Sequence, residues 1–443
     1  MRIAIVGAGP TGLFTSIALA RRGHDVTVVD RDPGPRPDGT WERAGVMQFH
    51  HPHAFRLQVV EALTAEMPEV LDTLVAVGAE RVILPEPPHI ALGLRCRRLT
   101  FEWVLRAAAE AEPGVVMLRG HADDVLAERG RAVGLRVDGQ RLDADLVLDA
   151  SGRAGRLGRG LRAPVDSRDC GLAYVSRQYR LRPGADFGPM SMPIAGVAFY
   201  PGYGVIAFPH DDGVFSALIL RPGTVRSFAG LREVAVFEAA AAAVPLLATW
   251  TDPERAVPIT GVLPGGRLYN SYCGQLDENG AVPLPGLVFV GDAVCTTNPS
   301  AGRGVTTSLL QVRALLALLE QDAADPESST RAFDAWCTGN IRPWFEDHVV
   351  CDDGLAARWA GADVDLDRPL PSDLIGAAAE VDPSLMRVVG PYQAMQTLPG
   401  TLAEVEPRAH AIYAGGWRPP VPAGPTRDEL AELVARHASA SVG

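Results

Sequence analysis

Lysine is missing from this chain: all 41 of its Lys and Arg positions are arginine. That removes a Walker-type phosphate lysine, a Schiff-base lysine and any mechanism that needs a catalytic ammonium. Cysteine is scarce. The six, Cys96, Cys170, Cys273, Cys295, Cys337 and Cys351, form no C-x-x-C pair, which excludes a dithiol redox motif and the common zinc spacings and leaves no metal expected. They read as free, mostly buried thiols of a cytoplasmic protein. Long hydrophobic runs are also lacking. The longest, 239–250, falls short of the roughly 20 residues that cross a bilayer, and the chain opens on an apolar strand rather than a signal peptide. A net charge of −12 argues against nucleic acid or an anionic membrane as partner.

What is present is an ordinary globular composition, 47% hydrophobic and 21% charged over 443 residues, enough for two or three domains or one composite one. The opening, MRIAIVGAGPTGLFTSIALARRGHDVTVVD, organises the rest. Residues 2–6 read as a buried parallel strand, Gly7, Gly9 and Gly12 follow at G-x-G-x-x-G spacing, a helix runs over 13–22, and a second strand ends in Asp30. This is the βαβ dinucleotide fingerprint in its confirming context. Gly7 permits the turn, Gly9 lets backbone approach a pyrophosphate, and Gly12 brings helix close to strand. The helix start offers N–H groups to phosphate, and Asp30 can accept a ribose hydroxyl. Alone, the fingerprint leaves FAD and NAD(P) open.

Arg31 begins a polar loop, after which Arg43, Gln48, His50, His51 and His53 crowd before a helix over 54–65. The H-H-P-H spacing puts no two rings on one helix face, so the segment reads as a loop near the nucleotide or as a hydrogen-bonded helix entry. Residues 72–94 look irregular, with short strands around prolines. Arg98 precedes a helix over 99–112, Asp138-Gly139 marks a hairpin, and a buried strand over 146–148 ends in Asp149 before Ser151-Gly152-Arg153. The carboxyl ends of such strands are where open α/β sheets bind ligands. Alternating strand-length segments over 163–270, with a helix at 231–243, suggest a largely antiparallel sheet forming one wall of a substrate pocket. A second strand–loop–helix junction follows: strand 287–290, Gly291-Asp292, loop 298–304 and helix 305–320. It is natural if one extended ligand runs between the two junctions. Helices then fill the remainder, and Thr426 with Glu429 makes a capping box.

Three motifs, GAGPTG with Asp30, SGR after Asp149, and GDAVCTTNPSAGRG, together resemble the FAD-dependent monooxygenases of the aromatic-hydroxylase type. Within that group the chain is most similar to the olefin epoxidases of polyketide and polyether biosynthesis. Their R-x-G-V-P-Q-x-x-H-x-H segment is matched at Arg43, Gly45, Val46, Gln48, His51 and His53, and their N-P-x-x-G-x-G at Asn298, Pro299, Gly302 and Gly304. The resemblance implies an α/β fold: a Rossmann-like FAD-binding domain of glutathione-reductase type over 1–162 and 271–322, an inserted, largely antiparallel substrate sheet over 163–270 to which 72–95 contributes, and a helical C-terminal region over 323–443. It implies that Gly7, Gly9, Gly12, Asp30 and Arg31 hold the ADP half of FAD. Arg98 would lie near the ribityl–phosphate region, Arg43 near the flavin's mobile loop and Asp292 on the ribityl chain, with Gln48, Asp149, Gly152 and Gly291 also binding the cofactor. Pro299, Gly302, Arg303 and Gly304 would line the flavin edge. Departures from the epoxidase pattern fall at Met47, Ser300-Ala301 and Arg303.

The implied activity is insertion of one oxygen atom from O2 into a small organic substrate of secondary metabolism, by epoxidation or hydroxylation through a flavin C4a-hydroperoxide. NAD(P)H, bound directly or acting through a flavin reductase, would supply the electrons. Tyr203 and His210 are candidate bases should the substrate be a phenol. A flavin halogenase would need a lysine and a W-x-W-x-I-P segment, and the chain has neither. A C=C reductase of the prenyl-lipid type shares the GD box, and 203–209 loosely resembles its substrate-wall motif; a non-catalytic flavin-binding protein is the third reading.

Overall fold

The computed structural model describes residues 1–43, 45–84, 89–158, 160–321 and 325–440. Its central layer is a five-stranded parallel sheet in the order Leu287–Phe289, Leu146–Asp149, β1 (Arg2–Val6), β2 (Asp25–Asp30) and Val115–Arg119. The inner strands are continuous apolar runs because both their faces are covered; Ile3, Ala4 and Ile5 are at most 1% exposed. Helix α1 (Pro10–Ala20) covers one face with Leu13, Phe14, Ile17 and Ala18. All neighbours are parallel, with Val6 beside both Val29 and Asp149, and Asp149 beside Phe289. The carboxyl ends of the four strands therefore share one edge, and the two junctions arrive there together.

Two local expectations are corrected. The segment after residue 54 first forms a short strand, Phe55–Arg56, paired with Leu94 and Gly93, and the helix starts at Leu57. Pro68–Ala76 is helical rather than irregular: Val70, Leu71 and Leu74 bury one stripe, and Pro68 sits at the first turn, where a missing N–H costs nothing. The strands Glu80–Ile83 and Ala91–Arg95 complete a small antiparallel sheet, while the expected proline-rich link at 85–88 lies outside the described residues. The 131–143 hairpin turns through Asp138 (φ +47°) and Gly139 (φ +78°), the pair of left-handed residues a two-residue turn requires.

The second layer is antiparallel throughout, in the order Gly196–Tyr200, Tyr203–Pro209, Val214–Pro222, Leu172–Leu181 and Ala256–Pro258. Strand alternation gives its two faces different jobs. Val175, Tyr179, Tyr203, Val205, Phe215 and Ile219 pack against Val234–Ala243, Pro245–Thr251 and the last helix, Arg427–Ala440. Tyr174, Ser176, Gln178, Ser216 and Leu218 face the other way, toward the parallel-sheet body, where Ser176 and Gln178 bond to the 50–51 segment. The long apolar stretch is thus two short helices bent by 117° on a sheet, and no single helix among the described residues is long and apolar enough to cross a membrane. Helices Pro326–Asn340 and Arg342–Trp359 lead into a separate helical core around Trp344, Ile375, Val389, Tyr392 and Tyr413. Five cysteines are buried, Cys351 is half-buried, and all six are free thiols.

Candidate functional site

The first junction is built from glycine geometry. Gly7 has φ +105°, and a Cβ there would lie 2.5 Å from the Ala150 carbonyl; one on Gly12 would lie 1.9 Å from the Gly7 carbonyl. Gly9 is different: a Cβ there would meet nothing within 4 Å, so this glycine borders open space at the N-terminus of α1. No side chain caps that helix, leaving its first N–H groups free for an acceptor.

Asp30 ends β2 with Oδ2 accepting from Ala8 N (2.6 Å) and from Arg43 Nη2 (2.9 Å). Arg43 is 7% exposed. It donates to the Ala8 carbonyl (3.0 Å) and pairs with Glu102 (2.5 Å), which is fully buried and also pairs with Arg98. Trp41 Nε1 binds Asp32 (2.8 Å), and the Arg43 guanidinium lies 5.5 Å from the Trp41 ring. The structure thus places Arg43 against the first junction. Its partner Glu102 drew no attention in the sequence, although the Arg98–Glu102 spacing of one helical turn was visible there. Arg31 is exposed, its guanidinium lying over Gly45. Gln48 is half-buried, its carbonyl accepting from His51 N (3.2 Å).

At the middle of the edge, Asp149 is 2% exposed, accepts from Ser151 N (2.9 Å) and Oγ (2.5 Å), and is pushed up in pKa by burial, against the lowering effect of Ser151. Gly152 follows at φ +81°. Gly291, φ +73°, is wedged between the helices of both junctions: a Cβ would come within 2.8 Å of Thr11 Oγ1 on α1 and 3.3 Å of Ser308 Oγ on Gly304–Gln321. Motifs at opposite ends of the domain thus become one site. Asp292 beside it is half-buried, its pKa raised by burial and pulled back by the charges of Arg98 and Arg153. No hydrogen-bond donor among the described residues reaches its carboxylate. The hydroxyls of Thr297 and Thr306, flanking the following loop, are likewise buried without a partner.

That loop is pinned from outside the nucleotide domain. Asn298 Nδ2 donates to Asp352 Oδ1 and Asn270 Nδ2 to Asp352 Oδ2, both at 2.7 Å; Asn298 N donates to Asn270 Oδ1 (2.7 Å), and Asn298 Oδ1 caps the turn at Ser300 N (3.0 Å). Gly302 takes φ +62° against Ala54, whose Cβ would be 2.8 Å from a Cβ on the glycine, and Arg56 Nη2 donates to the Ala301 carbonyl (2.7 Å). Pro299 is exposed and Gly304, half-buried, opens the helix. Arg303 departs from the expectation that it lines a flavin edge: its side chain turns into the helical core, onto Asp347 (2.8 Å) and Tyr392 Oη (2.7 Å), 4.6 Å from the Trp344 ring. It is an anchor of the loop. Asn270, Asp352 and Arg56 carry no motif, and their sequence separation hid them.

The histidine segment joins this loop to the sheet. His51 Nδ1 bonds Ser176 Oγ (2.7 Å), its ring stands edge-on to Tyr174 at 4.8 Å, and Gln178 Nε2 donates to the His50 carbonyl (2.8 Å). His53 Nδ1 bonds the His51 carbonyl (2.9 Å), with Nε2 3.4 Å from Arg98. Burial lowers the His51 pKa to about 4 and that of His53 well below its ordinary value. His210, fully buried on the same sheet face, bonds Ser216 Oγ through Nε2 (2.9 Å), leaves Nδ1 without a partner, and is lowered to about 4 by burial. Tyr203 is corrected: it lies on the opposite face, stacked on Tyr200 with its hydroxyl donating to the Pro425 carbonyl (2.6 Å).

The free helix starts, the open space at Gly9, the unpaired carboxylate and the two orphaned hydroxyls suit one long ligand with phosphates at one end and a polyol in the middle. Known proteins agree with such a ligand. Residues 2–92 match the family of FAD dependent oxidoreductases. Protein Rv3254 of Mycobacterium tuberculosis is 28% identical over 353 residues, 69% of this chain and 70% of that protein. A D-amino acid dehydrogenase of Rhizobium johnstonii is 45% identical over only 49 residues, 11% of this chain and 12% of its own length. Among solved structures, pqsL of Pseudomonas aeruginosa, a probable FAD-dependent monooxygenase, superposes with a TM-score of 0.61 at 17% identity, covering 82% of this chain and 98% of that one. The myxobacterial chondrochloren halogenase CndH superposes at 0.60 and 19% identity, covering 99% and 96%. At such identities the structures share the fold. Residues 2–92 carry the signature of the FAD dependent oxidoreductases, and the chain shares the flavoenzyme fold, a Rossmann-type parallel sheet with a helical C-terminal region.

Proposed function

We propose that this oxidoreductase is a flavin-dependent monooxygenase that transfers one oxygen atom of O2 to a small organic substrate, by hydroxylation or epoxidation, with NAD(P)H as the ultimate electron source. The observation that carries the reading is the clamping of 50–56 between two walls: Ser176 and Gln178 of the sheet hold it on one side, while Ala54 and Arg56 meet the 298–304 loop on the other. Closing this segment against both walls would keep water from the flavin edge, which oxygen transfer needs because water diverts it.

Bound FAD supplies the redox and oxygen chemistry; the chain's residues bind, orient and exclude water. Gly7, Gly9, Gly12 and the start of α1 would receive the pyrophosphate. Asp30, held by Arg43, would accept from the ribose, with Arg98 nearby. Asp149, Gly152, Gly291 and Asp292 would follow the ribityl chain, Asp292 taking the hydroxyl proton donor it lacks in the protein. Pro299, Gly302 and Gly304 would present backbone to the ring edge, with Arg303 and Asp352 fixing their position. His210, fully buried and bonded to Ser216, would brace the sheet face that walls the substrate. Burial holds its imidazole below the ordinary range, so its role is positioning rather than deprotonation of a phenol. Of the 203–209 segment that suggests a C=C reductase, Tyr203 points into the sheet's helical side, while Ile206 faces the parallel-sheet body. Oxygen uptake tests the function. With FAD, NAD(P)H and a panel of phenols and olefins, substrate-dependent O2 consumption with a product one oxygen heavier is expected; NAD(P)H oxidation without O2 uptake, and a product gaining two hydrogens, overturns the reading.

A further inference from the structure

At one end of the antiparallel sheet lies a cleft of about 470 Å3, formed by the start of Leu172–Leu181, the turn after Val214–Pro222 and the stretch following Leu263–Gly265. Its charge is one-sided. Arg221, Arg232 and Arg267 line it, against a single acid, Asp169, whose Oδ1 is already taken by Gly171 N (2.7 Å). A fourth guanidinium stands at the rim, where Arg153 Nη1 donates to the Arg267 carbonyl (3.0 Å).

Arg221 is the telling member. It is 8% exposed, spends Nη1 on the carbonyls of Pro222 (3.1 Å) and Val225 (3.2 Å), and leaves Nε buried without an acceptor. Arg43, Arg95 and Arg303 also carry an unpaired Nε, but each holds a carboxylate; Arg56 and Arg255, like Arg221, donate only to backbone carbonyls, and Arg221 differs from both in sharing a cleft with two further arginines. Burial, and then the like charge of Arg232, lower its pKa. A desolvated guanidinium facing a second cation is costly to leave without a counter-charge, and an oxyanion in the cleft would supply one. The cleft also borders the clamped histidine segment: Tyr174 lines it, and the same ring packs edge-on against His51 at 4.8 Å.

We infer that this cleft binds an oxyanion, a carboxylate or phosphate, carried by a ligand of the reaction. Two sources offer that group, the acidic end of the organic substrate and the phosphates of the nicotinamide dinucleotide. The binding inference stands on the cleft alone, and only the choice between sources rests on the proposed function.

The test is calorimetric titration of the FAD-loaded protein at low salt with inorganic pyrophosphate and, separately, benzoate, repeated on Arg221→Gln and Arg232→Gln. Arg232 is exposed, so its variant keeps the fold, which an unchanged melting temperature and FAD content verify. The expected result is binding of at least one anion, weakened at least tenfold in either variant and by added NaCl. Displacement of pyrophosphate by NADPH, with a raised KM for NADPH at unchanged kcat in Arg232→Gln, assigns the cleft to the dinucleotide; displacement of benzoate without competition from NADPH assigns it to the substrate. Absence of binding by both anions, or equal affinity in wild type and both variants, overturns the inference. None of these titrations requires turnover, so failure of the oxygenase reading would leave them unaffected.

Discussion

Asp292 is a carboxylate that burial disfavours as an anion and that no donor among the described residues satisfies. A ligand hydroxyl would satisfy it. Asp292→Ala should therefore purify largely colourless, with the flavin-to-protein absorbance ratio at least tenfold down; full FAD content in that variant would displace the ribityl chain from this position. The buried histidines make a second prediction. The folded-state pKa values of His51 and His210, about 4, lie below the ordinary 6.5, so the unfolded chain binds the extra protons. The stability they contribute is complete above pH 6.5 and is lost as pH falls toward 4, by about 1.4 kcal/mol per pH unit for each. Melting temperature should drop between pH 6.5 and 4.5, less steeply in His51→Gln; identical slopes would mean that His51 is protonated in the fold. At this scale the sequence was readable where a residue's role is set by its own backbone, as at Gly7 and Gly12. It was unreadable where the role depends on a distant partner. The pair Arg43–Glu102 joins two separate elements, and neither residue announces it alone.

Among elements, the 298–304 loop was visible from its glycines, but what holds it was not. Asp352, on Arg342–Trp359, bonds the side-chain amides of both Asn298 and Asn270, and nothing in a single helical residue announces such a bridge. Burial raises its pKa, and the two amides offset part of that rise. Asp352→Ala leaves both amides unpaired at a cost of about 1–3 kcal/mol and frees the loop. The expected outcome is lower thermal stability together with a larger share of consumed O2 appearing as H2O2. Lost stability with unchanged coupling would make Asp352 purely structural. The helix Pro68–Ala76 escaped the sequence reading for a different reason: its three buried residues are too few to show a period beside flanking prolines.

In the whole molecule, the parallel order of the central sheet is what turns separate motifs into a site. The alternation of strand, helix and turn signals made the FAD-type sheet, the antiparallel insert and the helical C-terminal region legible in advance. The docking of the insert was not, because it depends on side chains such as Ser176 meeting His51 across the interface. The likeness to a halogenase structure extends to the fold, while a chain without lysine lacks the ammonium that the halogenase reading calls for. The most direct measurement of oxygen-atom transfer is mass spectrometry of product formed under 18O2 with FAD and NAD(P)H. One 18O atom in the product is expected. A product carrying no 18O, two hydrogens heavier than its substrate, would contradict it.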